Sequence, residues 1–141
     1  MPVVPRKGIL ATAAVIDVAL HAIDRPASAK AIAARHQLPP RHLEPVLQAL
    51  VREGILKGIR GPRGGYELAR NRNRISADDI LRAASAAQEA GAPAPAGSTL
   101  INDIVRPALA ETERTFSAAL GRILVGDMIA RAEAFKIAVK A

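Results

Sequence analysis

Arg60-Gly61-Pro62-Arg63-Gly64-Gly65-Tyr66-Glu67-Leu68-Ala69 is the stretch that decides the fold. Between Ile55–Arg60 and Tyr66–Ala69, five positions hold three glycines and a proline. Glycine reaches positive φ at no steric cost and proline fixes its own φ, so Gly61–Gly65 predicts a turn between two short strands. Arg60 and Arg63 sit on that turn. A glycine-rich tip has little structural use for two cations, so they read as contacts to a polyanion. Gly64 and Gly65 serve the turn first and let the backbone approach phosphates second.

Upstream, Pro40 to about Glu53 predicts a helix. Leu43, Val46, Leu47 and Leu50 fall at i, i+3, i+4 and i+7, one apolar stripe of an amphipathic helix. Gly54 suits a left-handed residue past its end. The opposite side presents Arg41, Glu44, Gln48 and Arg52, with His42 at its start. Before it, Ser28 suits the N-cap of a short helix running to about Arg35, and His36–Pro39 a turn. Residues 8–23 predict a first helix, broken at Arg25-Pro26.

Downstream, Ser76 with Asp79 three residues on reads as a partial capping box opening another helix. Gly91–Ser98 is a low-complexity loop. A long helix is predicted from about Leu100. Val105, Leu109, Thr112, Phe116, Ala119 and Ile123 repeat on it at alternating steps of four and three, a short heptad-like seam. The seam suits either an intrachain core or a dimer contact, and we favour the dimer because so small a chain has little else to cover it. Gly126-Asp127 begins a last helix carrying Met128, Ile129 and Phe135.

Three helices followed by a basic, glycine-tipped hairpin are the order of a winged helix-turn-helix. The predicted class is mainly α with a small β-hairpin: a winged domain over 1–84, a flexible loop over 85–99 and a helical dimerisation region over 100–141. A major groove admits one helix, and a hairpin reaches the neighbouring minor groove. Arg41, Glu44 and Gln48 then face base edges, where Arg reads guanine and Glu accepts from cytosine. Arg60 and Arg63 face the minor groove and phosphates. Lys30 and the amides after Ser28 add phosphate contacts at a helix N-terminus. Glu44 and His42 also fit a bland reading, as solvated surface residues, and Tyr66 fits core packing.

The bulk numbers agree. The net charge is +7, unevenly spread: residues 1–74 carry 13 Lys and Arg against 5 Asp and Glu, and residues 75–141 carry 7 against 8. Only the first half suits a polyanion. Aromatic residues make up 2% of the chain, which favours close helix packing over a deep pocket. Cysteine is absent, excluding disulfides and thiolate-bound zinc or iron–sulfur clusters. Ile9–Ile23 follows Arg6-Lys7 like a secretory leader, yet Asp17 and His21 interrupt it. It reads as a buried helix of a cytoplasmic protein with no membrane span.

Leu43-Glu44-Pro45-Val46-Leu47-Gln48-Ala49-Leu50, Gly54-Ile55-Leu56 and the Arg60–Ala69 wing together resemble the Rrf2 family of bacterial transcription regulators, the family of IscR and NsrR. The resemblance covers residues 6–84 well. It implies a homodimer on a palindromic operator, joined through the long C-terminal helix. It matches Glu44 to a base-reading glutamate and Arg60 to a wing arginine that enters the minor groove. Arg41 stands where IscR has a contacting serine, which implies a different operator. Pro45 replaces a commoner glutamine and removes a helical N–H, which should kink or tighten the helix start. Sensing members carry three cysteines in the loop that here reads Gly91–Ser98. No cofactor or metal is therefore expected, and His21, His36 and His42 lie far from that loop in sequence. The signal would then be a small molecule, a partner protein or nothing at all.

The expected function is sequence-specific regulation of transcription, as a repressor. The alternative is a winged-helix module that binds a partner protein and no longer DNA; Arg60, Arg63, Arg70, Arg72 and Arg74 speak for retained wing basicity. An enzyme is the third class, and the sequence shows no nucleophile–base pair, metal-spaced ligands or phosphate loop.

Overall fold

The computed structural model describes residues 4–89 and 98–140. Helix α1 (Arg6–His21), α2 (Ala29–His36) and α3 (Pro40–Arg52) precede a hairpin of β1 (Leu56–Ile59) and β2 (Gly65–Leu68). A 3-10 turn at Arg72–Arg74 leads into α4 (Ala77–Glu89). A π-type turn at Leu100–Val105 runs into α5 (Arg106–Gly121), and α6 (Val125–Lys140) closes the chain. This is a winged helix-turn-helix with a helical extension.

Local chemistry sets most boundaries. Ser28 accepts from the Ala31 N–H at 3.1 Å and caps α2. Gln37 ends α2 at φ 54°, and Gly54, at φ 75°, follows the end of α3. α3 is one helix through Pro45, which gives no N–H to the Arg41 carbonyl. Ser76 and Asp79 form a full reciprocal capping box, the Ser76 N–H donating to Asp79 at 3.0 Å and the Asp79 N–H to Ser76 at 3.1 Å. α1 starts and stops two residues earlier than its periodicity predicts.

One apolar core joins Val15 and Val18 of α1, Ile32 of α2, Leu43, Leu47 and Leu50 of α3, Ile55 and Leu56 at the wing base, and Ile75 and Ile80 around the start of α4. Val125 and Ile129 of α6 belong to the same core. This differs from the expected division: α6 packs back onto the winged body, and α4 is helical through residues 85–89. The loop predicted over 91–98 falls, except for Ser98, outside the described residues. α5 contributes no buried side chain.

Two backbone clasps place the wing. Its strands pair antiparallel in the register Leu56↔Leu68, Lys57↔Glu67, Gly58↔Tyr66 and Ile59↔Gly65. Ala27 then exchanges both hydrogen bonds with Tyr66, at 3.0 and 2.8 Å, tying the hairpin to the entry of α2. Beyond the wing, Ala77 N–H donates to the Ile123 carbonyl and Val125 N–H to the Ile75 carbonyl, both at 2.8 Å. That second clasp fastens the wing's exit to the α5–α6 turn.

Candidate nucleic-acid interface

The amphipathic split of α3 is realised. Leu43, Val46, Leu47 and Leu50 are buried, while Arg41, His42, Glu44, Gln48 and Arg52 are exposed. Burial pushes the Tyr66 hydroxyl up from its ordinary pKa, and the charge of Glu44 adds to that push. The Glu44 carboxylate thus lies within electrostatic range of the wing base, so the polar face of α3 and the hairpin are neighbours.

Arg60 and Arg63 are exposed on the turn, where Gly61 has φ 115°. Two clefts run between this turn and the N-terminus of α2. One, of about 500 Å³, is lined by Ser28, Ala29, Arg60, Gly64 and Gly65. The other, of about 410 Å³, is lined by Arg25, Ser28, Arg35, Pro62 and Arg63. The positive end of the α2 dipole and several guanidinium groups therefore converge, an arrangement suited to an anion. The Ser28 hydroxyl is engaged as the cap, so its part is to orient the amides. Lys30 is exposed on α2. In the sequence Arg25 reads only as part of a helix break; its place in the cleft that Arg63 also lines comes with the Ala27–Tyr66 clasp.

Not every wing cation is available. Arg70 donates to the Gly54 and Glu53 carbonyls at 3.1 and 3.2 Å and lies 3.6 Å from Asp79. It caps the C-terminal end of α3 and drops out of the basic wing surface expected from the sequence. Lys57 pairs across the hairpin with Glu67 at 3.5 Å. Arg72 and Arg74 remain exposed.

Behind this face, Asp17 of α1 is buried and holds the last turn of α2. Arg35 donates to it twice, at 2.9 and 2.7 Å, and His36 Nε2 lies 2.6 Å away. Burial pushes the Asp17 carboxyl up, but hydrogen bonds from Arg35 and His36, with the charges of Arg35 and His21, outweigh it and hold the group below its ordinary value.

The predicted seam is on the surface. Leu109, Thr112 and Ala119 are exposed on α5 and Phe116 is half-buried. Val105 lies in the π-type turn before α5, and Ile123 lies past the helix, in the α5–α6 turn. Pro107 gives no N–H to its own helix, and the ladder widens just before it, Arg106 donating five residues back to Ile101. Leu100 and Ile104, within that widened turn, are 63% and 61% exposed, apolar side chains that the heptad count did not include.

Fold and site together define a winged helix-turn-helix protein with a cationic wing. The chain belongs to the Rrf2 family: the family model described as "Iron-dependent Transcriptional regulator" matches residues 4–131. The transcriptional regulator IscR of Pectobacterium atrosepticum is 35% identical over 77 residues, covering 55% of this chain and 47% of that protein. The chain spans about half the length of the curated relatives it matches. The solved structure of T. potens IscR is 29% identical, with a TM-score of 0.69 over 92% of this chain and 87% of that one. CymR of B. subtilis shares the fold at a TM-score of 0.70 and 24% identity, over 93% and 98% of the two chains. Iron, named in the family description, finds no thiolate here, because the chain has no cysteine. Gly91–Ser98 holds no histidine or carboxylate either. Among the described residues no three His, Asp or Glu gather as a metal site. The residues present do not fit a cysteine-held cluster. Among the same residues no helix is long and apolar enough to cross a membrane.

Proposed function

We propose that this regulator binds double-stranded DNA sequence-specifically, as a homodimer on a two-fold operator, and represses transcription. The observation that carries the proposal is the joining of two chemically different surfaces. The exposed side of α3 offers Arg41, Glu44 and Gln48 for base edges. The clefts between α2 and the wing offer Arg60, Arg63 and helix amides for phosphates and the minor groove. Titration against the protein's own upstream DNA and a scrambled duplex, at several salt concentrations, separates the two roles. Arg63→Ala should weaken both duplexes and reduce the salt slope by about one. Glu44→Ala should leave the slope unchanged and cost roughly 1–3 kcal/mol of discrimination at one base pair. If neither substitution changes affinity or specificity, this face is not a DNA surface, and binding of a partner protein becomes the better account.

The homodimer rests on α5. Among the described residues α5 has no fully buried side chain and Leu109 is 58% exposed, and an operator-binding dimer needs matching two-fold symmetry. Leu109→Asp should turn a micromolar dimer into monomer, read by light scattering, with the far-UV circular dichroism unchanged. Leu109 reports association more cleanly than half-buried Phe116, where a charge would also disturb the fold. A monomeric unsubstituted protein at that concentration would refute the assignment.

A further inference from the structure

Pro45 is a costly residue to hold inside α3. It gives no N–H to the Arg41 carbonyl, and a helix interior is where proline is least favourable. A core contact could offset that cost, but Pro45 makes none. It is exposed, and among the described residues it belongs neither to the apolar core nor to the side chains packed against it. A local rule broken without a structural return points to function.

The position of Pro45 says which function. Arg41, Glu44, Pro45, Gln48 and Arg52 fall at i, i+3, i+4, i+7 and i+11, so they share one face of α3. Leu43, Val46, Leu47 and Leu50 are buried on the other. Arg41 stands one turn before Pro45 and Gln48 just under one turn after it. The pyrrolidine ring is therefore an apolar element in the middle of a polar stripe. It has no donor or acceptor. Against an adenine or cytosine amino group, or guanine N7 and O6, it would exclude water and offer nothing in return. Thymine alone carries a methyl group on its major-groove edge. An apolar ring against that methyl is the complementary contact.

We infer that Pro45 is a specificity-determining residue that reads thymine, its ring lying against the 5-methyl group of one thymine in each half-site. The inference rests on the DNA-binding reading above. It adds a base selected by apolar contact to those that Arg41, Glu44 and Gln48 select by hydrogen bonding.

Selection by the whole chain from a randomised duplex pool supplies the probe. Each thymine of the selected site is then replaced in turn by deoxyuridine, which lacks only the methyl group, and affinity is titrated at fixed salt. At one thymine per half-site the replacement should weaken binding by about fourfold, the worth of one buried methyl. Pro45→Gly removes the ring and keeps α3 helical, glycine being the lesser helix breaker; circular dichroism checks this. The glycine protein should bind thymine and deoxyuridine duplexes equally at that position and respond as before elsewhere. Pro45→Gln, put through the same selection, should exchange that thymine for adenine, which glutamine holds through two hydrogen bonds. The inference is overturned if no thymine is methyl-sensitive, or if the sensitivity survives Pro45→Gly. A Pro45→Gln consensus that keeps the thymine overturns it equally. Each of those results leaves the DNA-binding reading standing. A pool that yields no consensus sinks sequence-specific reading and this inference together.

Discussion

Arg35→Ala is expected to lower stability by about 3 kcal/mol at pH 7, a fall in Tm of about 10 °C. The side chain of Asp17 is 1% exposed and that of Arg35 34%. Removing the arginine therefore leaves a carboxylate out of water, with its two strongest donors gone and His36 at 2.6 Å. An uncompensated buried charge is what makes one-sided disruption of an ion pair costly. The partial exposure of Arg35 keeps the expectation at the low end of that range. The pH dependence has a definite sign. Because the folded-state pKa of Asp17 lies below its ordinary value of 3.8, the pair's contribution is complete above that value. It is lost as the pH falls through the folded-state value. The substituted protein should lack this acid-side loss. Urea unfolding followed by circular dichroism at pH 7 and pH 3 measures both effects. A cost below about 1 kcal/mol at pH 7 would show the pair to be worth no more than a surface contact.

Gly65→Val should detach the wing while leaving the helices folded. A Cβ at Gly65 would lie 2.5 Å from both the carbonyl carbon and oxygen of Ala27 and 2.8 Å from the Ser28 nitrogen. These are backbone atoms, so no rotamer change relieves the clash. The hairpin must move off, breaking the Ala27–Tyr66 hydrogen bonds and opening the two clefts. Overpacking of this kind costs about 1–3 kcal/mol. Affinity for upstream DNA should drop by about tenfold or more as Arg60 and Arg63 lose their place beside α2. Circular dichroism with DNA titration separates the two consequences. Unchanged DNA affinity in a folded Gly65→Val protein would show that the clasp does not position the interface.

Gly65 also marks a limit of reading from sequence. As a turn former it was legible, because positive φ and tight reversal are local demands. Its second duty, admitting the Ala27 backbone against β2, involves a segment 38 positions away and leaves no local trace. The same holds for Arg70, which looks like one more wing cation until α3's terminal carbonyls are seen to need a donor. It holds for Asp17 too, which reads as a polar interruption of an apolar helix and proves to be the anchor of α2.

Sequence by itself determined the three N-terminal helices, the wing, the stripe of α3 and the capping box at Ser76. Each rests on periodicity, capping or glycine chemistry within a few residues, where the physics is short-range. Tertiary structure alone decided that α6 packs into the winged body, that the chain widens into a π-type turn just before Pro107, and that Arg25 and Arg63 line one cleft. Those outcomes depend on which surfaces meet, and a surface pairing between distant segments is set by the free energy of the whole packing rather than by any one stretch of chain.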